Sequence, residues 1–161
     1  MIVVSDTSCL CYLARLRLES VLGALYGTVV IPPAVASELL AGIAAHPEID
    51  RVLHASWLQV QTVETASTAD SFPVSIDRGE AEAICLAEEL HADYLLMDDG
   101  AGRAFARSRN IPIIGVVGVL SAACDAGLTG PLRPVFERLV GPLGFRISRA
   151  VIDAILKEHG E

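Results

Sequence analysis

Lysine is nearly absent from this 161-residue chain, in which Lys157 is the only one among 12 basic residues. Phosphoacceptor domains of the receiver or haloacid-dehalogenase type usually employ a lysine near the phosphoryl group. Here the lysine lies in a predicted terminal helix, and no Asp-x-Asp follows the first strand. The segment Asp6-Thr-Ser-Cys-Leu10 also lacks the glycine-rich turn of a nicotinamide-binding domain. These absences disfavour both classes of protein.

Aromatic residues are also scarce, at 5% of the chain, whereas hydrophobic residues make up 52%. Such an aliphatic excess is typical of parallel strands that helices bury on both faces, because those strands are nearly unbroken runs of Val, Ile and Leu. A chain of this length fits one domain with one substantial core. We therefore predict a layered α/β fold in a single domain over residues 1–161.

Long hydrophobic runs and closely paired cysteines are missing as well. The longest weakly polar stretch, residues 111–124, is too short and too interrupted by glycine to span a bilayer. The N-terminus has no basic segment or cleavage site of a signal peptide. The four cysteines contain no C-x-x-C pair and are expected to be buried free thiols. The expectation is a cytoplasmic protein without membrane contact.

Positive charge is in short supply, and the net charge of −8 argues against a broad basic surface that grips nucleic acid. It does not exclude nuclease chemistry, because part of the negative excess can belong to a site whose bound metal reverses the local field. Nearly all the basic residues are arginine, which suits bidentate contacts with phosphate.

Strand and helix patterns alternate along the chain. Apolar runs predict five strands, near residues 2–5, 28–31, 57–63, 93–97 and 111–115. Helical spacing occupies most of the intervals, and residues 131–139 and 148–157 are two further predicted helices. Residues 64–75, rich in Ser, Thr and Ala, are predicted to be a loop. The repeated β-α order favours a parallel sheet, with residues 57–63 as a candidate edge strand.

Acidic residues stand where these apolar segments end. Asp6 and Asp98 close strands, whereas Glu38 and Glu80 lie in the helices that follow a strand or loop. Ligands of an open parallel sheet bind beyond the carboxyl ends of its strands, so the four side chains are expected to converge there. Because carboxylates without basic partners repel one another, a divalent cation is the simplest compensation. Asp98 is expected to be the primary ligand. Asp99 can join through a turn or a water, and Asp98-Asp99-Gly100 can equally be an ordinary turn.

Each acid also has a purely structural interpretation. The strand-end acids can cap the helices that follow, Glu38 can be a solvated helix position, and Glu80 can be the capping-box partner of Asp77. Helical phase favours a site, because Glu80 shares a face with Ile84 and points along the buried stripe. Glu82 is rotated by roughly 200° from Glu80 and is expected to be solvated or, at most, to support the ligands indirectly.

Four segments, taken together, resemble the PIN-domain family. They are the Asp6-Thr-Ser8 opening, the Pro32–Leu40 segment with its Ser-Glu-Leu, the helix that starts Gly79-Glu-Ala-Glu-Ala83, and the turn Leu95-Leu-Met-Asp-Asp-Gly100. The resemblance covers about the whole chain and is closest to small prokaryotic proteins related to the VapC-type toxins of toxin–antitoxin pairs. It implies a three-layer α/β/α fold with a central five-stranded parallel sheet.

The same resemblance implies a Mg²⁺- or Mn²⁺-dependent endoribonuclease. The four acids of the family match Asp6, Glu38, Glu80 and Asp98, in that order, and Ser8 matches the small hydroxyl residue that accompanies the first acid. The third acid is often Asp in the family, so the extra methylene of Glu80 changes the reach of its carboxylate. The chemistry needs oxygen ligands for the ions and no histidine.

Further residues are candidates for contacts with RNA and with partners. Arg103 and Arg107, four apart on the helix after Asp98, can clamp RNA phosphates or pair with surface carboxylates. The C-terminal helices within residues 131–161 carry an apolar stripe that either packs on the chain's own core or forms an interface. A homodimer would use such an interface, and the resemblance implies an antitoxin as another partner. A PIN-like protein-interaction module with little or no catalytic activity is the alternative function.

Overall fold

Five parallel strands form the centre of the structure, a computed structural model that describes residues 1–161, at positions 66 and 67 by backbone alone. The strands are β1 (Val3–Ser5), β2 (Val29–Ile31), β3 (Leu58–Val60), β4 (Tyr94–Leu96) and β5 (Ile113–Ile114). Their order across the sheet is β3-β2-β1-β4-β5, and each neighbouring pair is parallel. The predicted parallel sheet is confirmed, and its third strand lies at an edge.

Helices connect the strands and cover the sheet. Between β1 and β3 lie α1 (Thr7–Leu16), α2 (Ser20–Tyr26), α3 (Pro33–Gly42), a 3₁₀ turn (Pro47–Ile49) and α4 (Asp50–Leu53). After β3 come a second 3₁₀ helix (Ala66–Ser71), α5 (Arg78–Glu89), α6 (Gly100–Ser108), α7 (Val116–Asp125), α8 (Leu132–Val140) and α9 (Arg149–Glu158). The predicted helices at the C-terminus are thus present as α8 and α9.

The second 3₁₀ helix lies inside the segment predicted to be a loop, so that part of the prediction is wrong. The hydroxyl of Thr68 donates to the carbonyl of Thr65 at 2.7 Å, and the hydroxyl of Ser71 donates to that of Thr68 at 2.6 Å. Ser and Thr side chains stabilise such turns by bonding to nearby backbone, which a composition typical of loops does not distinguish.

Successive strand residues face opposite sides of the sheet, and each side has its own core. Val3 and Leu96 pack with α1, α2, α7 and α8 on one side. Val4, Leu95 and Met97 pack with α5 and with part of α6 on the other. Because both faces are covered, the strands are mostly apolar, as the aliphatic composition predicts, whereas the edge strand β3 contains Gln59 and is largely exposed. The result is the expected three-layer α/β/α arrangement.

The carboxyl ends of the strands share one edge, and chain order reverses at β1. Val4 lies opposite Val30 of β2 on one side and opposite Leu95 of β4 on the other. The chain therefore leaves β1 toward one half of the sheet and later returns to the other half. Ligands of such sheets bind in the crevice outside this reversal point. Asp6 and Asp98, which follow β1 and β4, lie at that point.

The structure also bears on two further expectations, which concern membrane-spanning segments and the burial of the cysteines. In the described part of the chain, no helix is both long and apolar enough to cross a membrane. All four cysteines are free; Cys9 and Cys85 are buried as expected, whereas Cys11 and Cys124 are only half-buried.

Candidate functional site

Asp6 lies at the junction of β1 and α1 and is only 1% exposed. Its Oδ1 atom accepts from the amide of Cys9 at 3.2 Å, so Asp6 itself caps α1. This agrees with the structural interpretation, in which a strand-end acid caps the helix that follows. The Oδ2 atom is buried and has no hydrogen-bond partner among the described residues. Burial raises the pKa of Asp6 well above its usual range, and repulsion from Asp98 and Glu80 raises it further.

Asp98 leaves β4 and reaches across to the start of α7. Its carboxylate accepts from the amide of Val116 at 3.0 Å, and Gly115 lies so close that a Cβ there would be 2.5 Å from Oδ1. Burial raises the pKa of Asp98, while the Val116 bond and the nearby Arg103 oppose that rise. Arg103 is held at this end of β4, because its Nη1 donates to the carbonyl of Met97 at 2.9 Å.

Glu80 is part of a complete capping box at the start of α5. Its amide donates to Asp77 at 2.8 Å, and its carboxylate accepts from the amide of Asp77 at 3.0 Å. Burial raises the pKa of Glu80 to about 7, and repulsion from Asp77, Asp99 and Glu38 contributes. The structural interpretation of Glu80 is therefore correct, and the residue nevertheless lies within electrostatic range of Asp6 and Glu38.

Glu38 reaches the same region from α3. Its carboxylate accepts from the hydroxyl of Thr7, the first residue of α1. It also lies directly against the backbone of Gly79 in α5, where an added Cβ would be 2.5 Å from both carboxylate oxygens. Sequence reasoning missed Thr7 and Gly79 as site residues. Their position beside a predicted acid becomes visible only when α1, α3 and α5 are packed together.

Glu82 is buried, at 8% exposed, and the prediction that it would be solvated is wrong. Its Oε2 accepts from the amide of Ala34 in the first turn of α3 at 3.1 Å, and its Oε1 accepts from Nε of Arg78 at 2.8 Å. Helical phase failed here because α5 is covered on more than one side: α3 packs across it while the sheet buries the other face.

The remaining candidates lie around the rim. Asp99 is exposed and caps α6 by accepting from the amide of Gly102 at 2.9 Å. Ser8 is half-buried at the start of α1, beside the Thr7 that bonds Glu38. Arg107 is exposed one helical turn after Arg103, and therefore further from the edge where α6 begins.

The donor chemistry of these residues fits a hard divalent cation. The donors are all carboxylate oxygens, which Mg²⁺ and Mn²⁺ prefer. The orphaned Oδ2 of Asp6 and the mutual repulsion of Asp6, Asp98 and Glu80 are both conditions that a cation would relieve. In the arrangement shown, no three His, Cys, Asp or Glu side chains of the described residues are close enough to hold an ion together. Side-chain rotation would have to complete the ligand set.

Comparison with protein families gives one decisive result: a family model described as a PIN domain matches residues 2–161. This chain belongs to the PIN-domain family. The match covers both halves of the sheet and every candidate residue above, and it supports a nuclease-type fold. Neither the search of curated proteins nor that of solved structures returns a match.

Proposed function

We propose that this PIN domain is a Mg²⁺- or Mn²⁺-dependent endoribonuclease that hydrolyses phosphodiester bonds of RNA. The observation that carries the proposal is the buried Oδ2 atom of Asp6, without a donor among the described residues and surrounded by other acids. A buried carboxylate oxygen without a partner is costly, and a cation is the partner that its surroundings favour. Asp6 and Asp98 would be the central ligands, with Glu38 and Glu80 beside them and Asp99 at the rim.

When bound, the divalent ion would act as a Lewis acid that lowers the pKa of a water and stabilises the negative charge that develops on the phosphate oxygens. The contribution of the chain is to hold individual carboxylates at one edge of the sheet before an ion binds. Thr7 and Gly79 fix Glu38, and the amide of Val116 fixes Asp98. Only the rotation of these side chains toward a common ion would then be needed to complete the site.

Arg103 and Arg107 are proposed to contact phosphates on the side of α6. The Arg103 guanidinium is already anchored to the end of β4, and in the described structure it pairs with no surface carboxylate. Arginine suits this task because its fork of donors matches phosphate oxygens. Ser8 is proposed to support Asp6 from the first turn of α1.

Hydrolysis of a single-stranded RNA in the presence of Mn²⁺ tests the nuclease proposal. We expect cleavage by the wild-type protein and at least a hundredfold loss in both Asp6→Asn and Asp98→Asn. Asp93→Asn is the matched control, because Asp93 lies at the opposite end of β4, where it accepts from the amide of Ile2. Equal residual activity in all three variants would identify a contaminating nuclease and contradict the proposal.

Binding of the ion has a separate readout in thermal unfolding. Because a ligand that binds only the folded state stabilises it, Mn²⁺ is expected to raise the Tm of the wild type and of Asp93→Asn. It should raise the Tm of Asp6→Asn much less. A wild-type Tm that Mn²⁺ leaves unchanged would argue against a metal site irrespective of the substrate.

We further infer that the chain is the toxin of a type II toxin–antitoxin pair that acts in the cytoplasm, with a cognate antitoxin and a homodimer as its assemblies. This rests on the similarity of its motifs to VapC-type proteins. Controlled expression in a bacterium is expected to arrest growth, and Asp6→Asn to relieve the arrest. Normal growth with a soluble, nuclease-active wild type would reject the toxin role.

A protein-interaction module with a weak or inactive site is the second candidate function. It is favoured by one observation: Asp98, Asp99 and Glu80 already accept backbone hydrogen bonds at helix starts, as purely structural acids do. A wild type that neither cleaves RNA nor responds to Mn²⁺ would select this alternative.

A further inference from the structure

A groove of about 410 Å³ opens directly beside Asp98. One wall is formed by Arg103 together with β5 and the start of α7, and the other by four residues of the C-terminal segment, namely Phe145, Arg146, Ile147 and Val151. The segment that precedes α9 is therefore part of the surroundings of the acidic site. From the sequence, the C-terminal region 131–161 was expected only to pack on the core or to contact another protein.

Positive charge enters the groove from both walls. Arg103 lies at the Asp98 end, anchored to the carbonyl of Met97, and Arg146 lies on the tail. Arg146 is exposed and takes part in no ion pair or hydrogen bond among the described residues, so its guanidinium is available to a ligand. In a chain with 20 acidic and 12 basic residues, two arginines that line one groove next to an acid mark a place for an anion.

The start of α7 adds to this field. Val117 and Gly118, in the first turn of that ten-residue helix, line the groove. N–H groups of a first helical turn have no partner within the helix, and the positive end of the helix dipole lies there. The amide of Val116 is already bound to Asp98, whereas the next two residues of the turn line the groove.

The rest of the groove is aliphatic. Ile113, Ile114, Ile147 and Val151 line it, and Val151 is 47% exposed. Arginines above an apolar lining suit a nucleotide, whose phosphate is anionic while its base and ribose have apolar faces. The volume lies in the range that holds one small ligand, which corresponds to about one nucleotide.

We propose that this groove binds the RNA nucleotide adjacent to the phosphodiester bond that is cut, and that Arg146 contacts its phosphate. The inference rests on the proposed function for the identity of the strand and adds a path for it. An acidic segment of a protein partner is the competing occupant. RNA is favoured because the groove is continuous with Asp98, where the reacting phosphate would lie.

Fluorescence anisotropy of a short, labelled single-stranded RNA tests the proposal, with EDTA added to prevent metal-dependent cleavage. Arg146→Gln is expected to weaken binding about three- to tenfold near 50 mM salt and to reduce the slope of log K against log salt by about 0.7. Arg149→Gln is the matched control, since it removes the same charge three residues later from an 89% exposed side chain that lines a different groove. It should change affinity less than about twofold.

Two further variants guard against misfolding, and circular dichroism verifies the fold of each. Arg146→Lys retains the charge and should keep most of the affinity, whereas Val151→Glu places a negative charge on the wall and should weaken binding as Arg146→Gln does. Unchanged binding in both Arg146→Gln and Val151→Glu would overturn the groove as an RNA site and leave a protein segment as its occupant.

Binding and hydrolysis are measured separately, so the two proposals can fail separately. A wild type that binds RNA through Arg146 but does not hydrolyse it with Mn²⁺ supports the groove and overturns the nuclease. A wild type that hydrolyses RNA while Arg146→Gln and Arg149→Gln bind equally well overturns the groove alone. A wild type that binds no RNA at any salt concentration in EDTA overturns the groove, and it overturns the nuclease as well only if it also fails to hydrolyse RNA with Mn²⁺.

Discussion

The two carboxylate oxygens of Asp6 have opposite surroundings. Oδ1 accepts from the amide of Cys9, whereas Oδ2 is buried and has no donor in the described structure. An unsatisfied buried polar atom costs roughly 1–3 kcal/mol, and nearby Asp98 and Glu80 make the negative form still less favourable. One oxygen thus holds the side chain in place, and the other has the surroundings that the proposed metal site requires.

The position of the Glu38 carboxylate depends on residue 79 being glycine, which has no side chain. Its carboxylate occupies the space that a Cβ of Gly79 would fill, 2.5 Å from both oxygens. In Gly79→Ala the carboxylate must move. Because Glu38 is a proposed metal ligand, and loss of a residue that orients a ligand lowers metal affinity at least about tenfold, we expect Mn²⁺ affinity to fall by about that factor. Alanine favours a helix over glycine by roughly 0.5–1 kcal/mol, and this gain offsets the cost of displacing Glu38. The free energy of unfolding should therefore stay near that of the wild type. Mn²⁺ titration and urea denaturation measure the two quantities.

Gly100 offers a matched control for this substitution. It begins α6 at the same edge of the sheet, and a Cβ added there would meet nothing within 4 Å. Gly100→Ala should therefore leave Mn²⁺ affinity unchanged. Equal affinities for the two alanine variants would show that Gly79 has no part in holding Glu38.

At the scale of elements, helix starts surround the carboxyl edge of the sheet. Acids of the site accept first-turn or cap hydrogen bonds in α1, α5, α6 and α7, and Glu82 does the same for α3. The positive end of each helix dipole favours a carboxylate at that place. The capping and the metal-site interpretations are therefore compatible, because one carboxylate can serve a helix with one oxygen and face the edge with the other.

Glu82 is expected to fix α3 to α5. The start of α3 has no side-chain cap of its own, and the amide of Ala34 donates to the buried Glu82 instead. Glu82→Ala leaves that amide without its charged acceptor, so we expect a loss of roughly 1.5–3 kcal/mol in the free energy of unfolding. Hydrogen exchange of the Ala34 amide should become faster, and Mn²⁺ affinity should fall because Glu38 is on the same helix.

Glu88→Ala is the control on the same helix. Glu88 pairs with Arg109 at the surface, and such exposed pairs contribute roughly 0–1 kcal/mol. Glu82→Gln, which keeps an acceptor oxygen, should recover part of the lost stability and of the protection at Ala34. If Glu82→Ala and Glu88→Ala have the same free energy of unfolding and the same rate of hydrogen exchange at Ala34, the link between α3 and α5 does not depend on Glu82.

The sequence allowed the local part of this site to be predicted but not its lateral contacts. The strand ends at Asp6 and Asp98 and the capping box at Asp77 depend on neighbours in the chain, which patterns capture. Thr7 and Glu82 act on residues 31 and 48 positions away. A single helical stripe cannot indicate such contacts, because a helix packed between a sheet and another helix buries a second face.

At the scale of the whole molecule, the C-terminal helix α9 packs on the chain's own core. Leu156 is 3% exposed in the larger core, and Ile152 and Ile155 pack against that core. Nε2 of His159 lies 2.8 Å from the hydroxyl of Ser121 in α7. Most of the apolar stripe of α9 thus serves the chain's own core. Of that stripe Val151 remains 47% exposed, and it lines the groove beside Asp98.

Glu161 joins the end of the tail to α8. Its carboxylate accepts from the amides of Arg133 and Leu132, at 3.0 and 2.7 Å, and these bonds hold the pKa of Glu161 below its usual value. A lowered folded-state pKa gives stability that is present above the unfolded pKa of about 4.3 and is lost as pH falls through the folded value. We therefore expect Glu161→Gln to be less stable than wild type at pH 7 and equal to it once both are well below that range. Urea denaturation at several pH values, with the exposed Glu158→Gln as control, measures this difference. A gap between wild type and Glu161→Gln that is the same in acid as at neutral pH would mean that the charge of Glu161 does not hold α8.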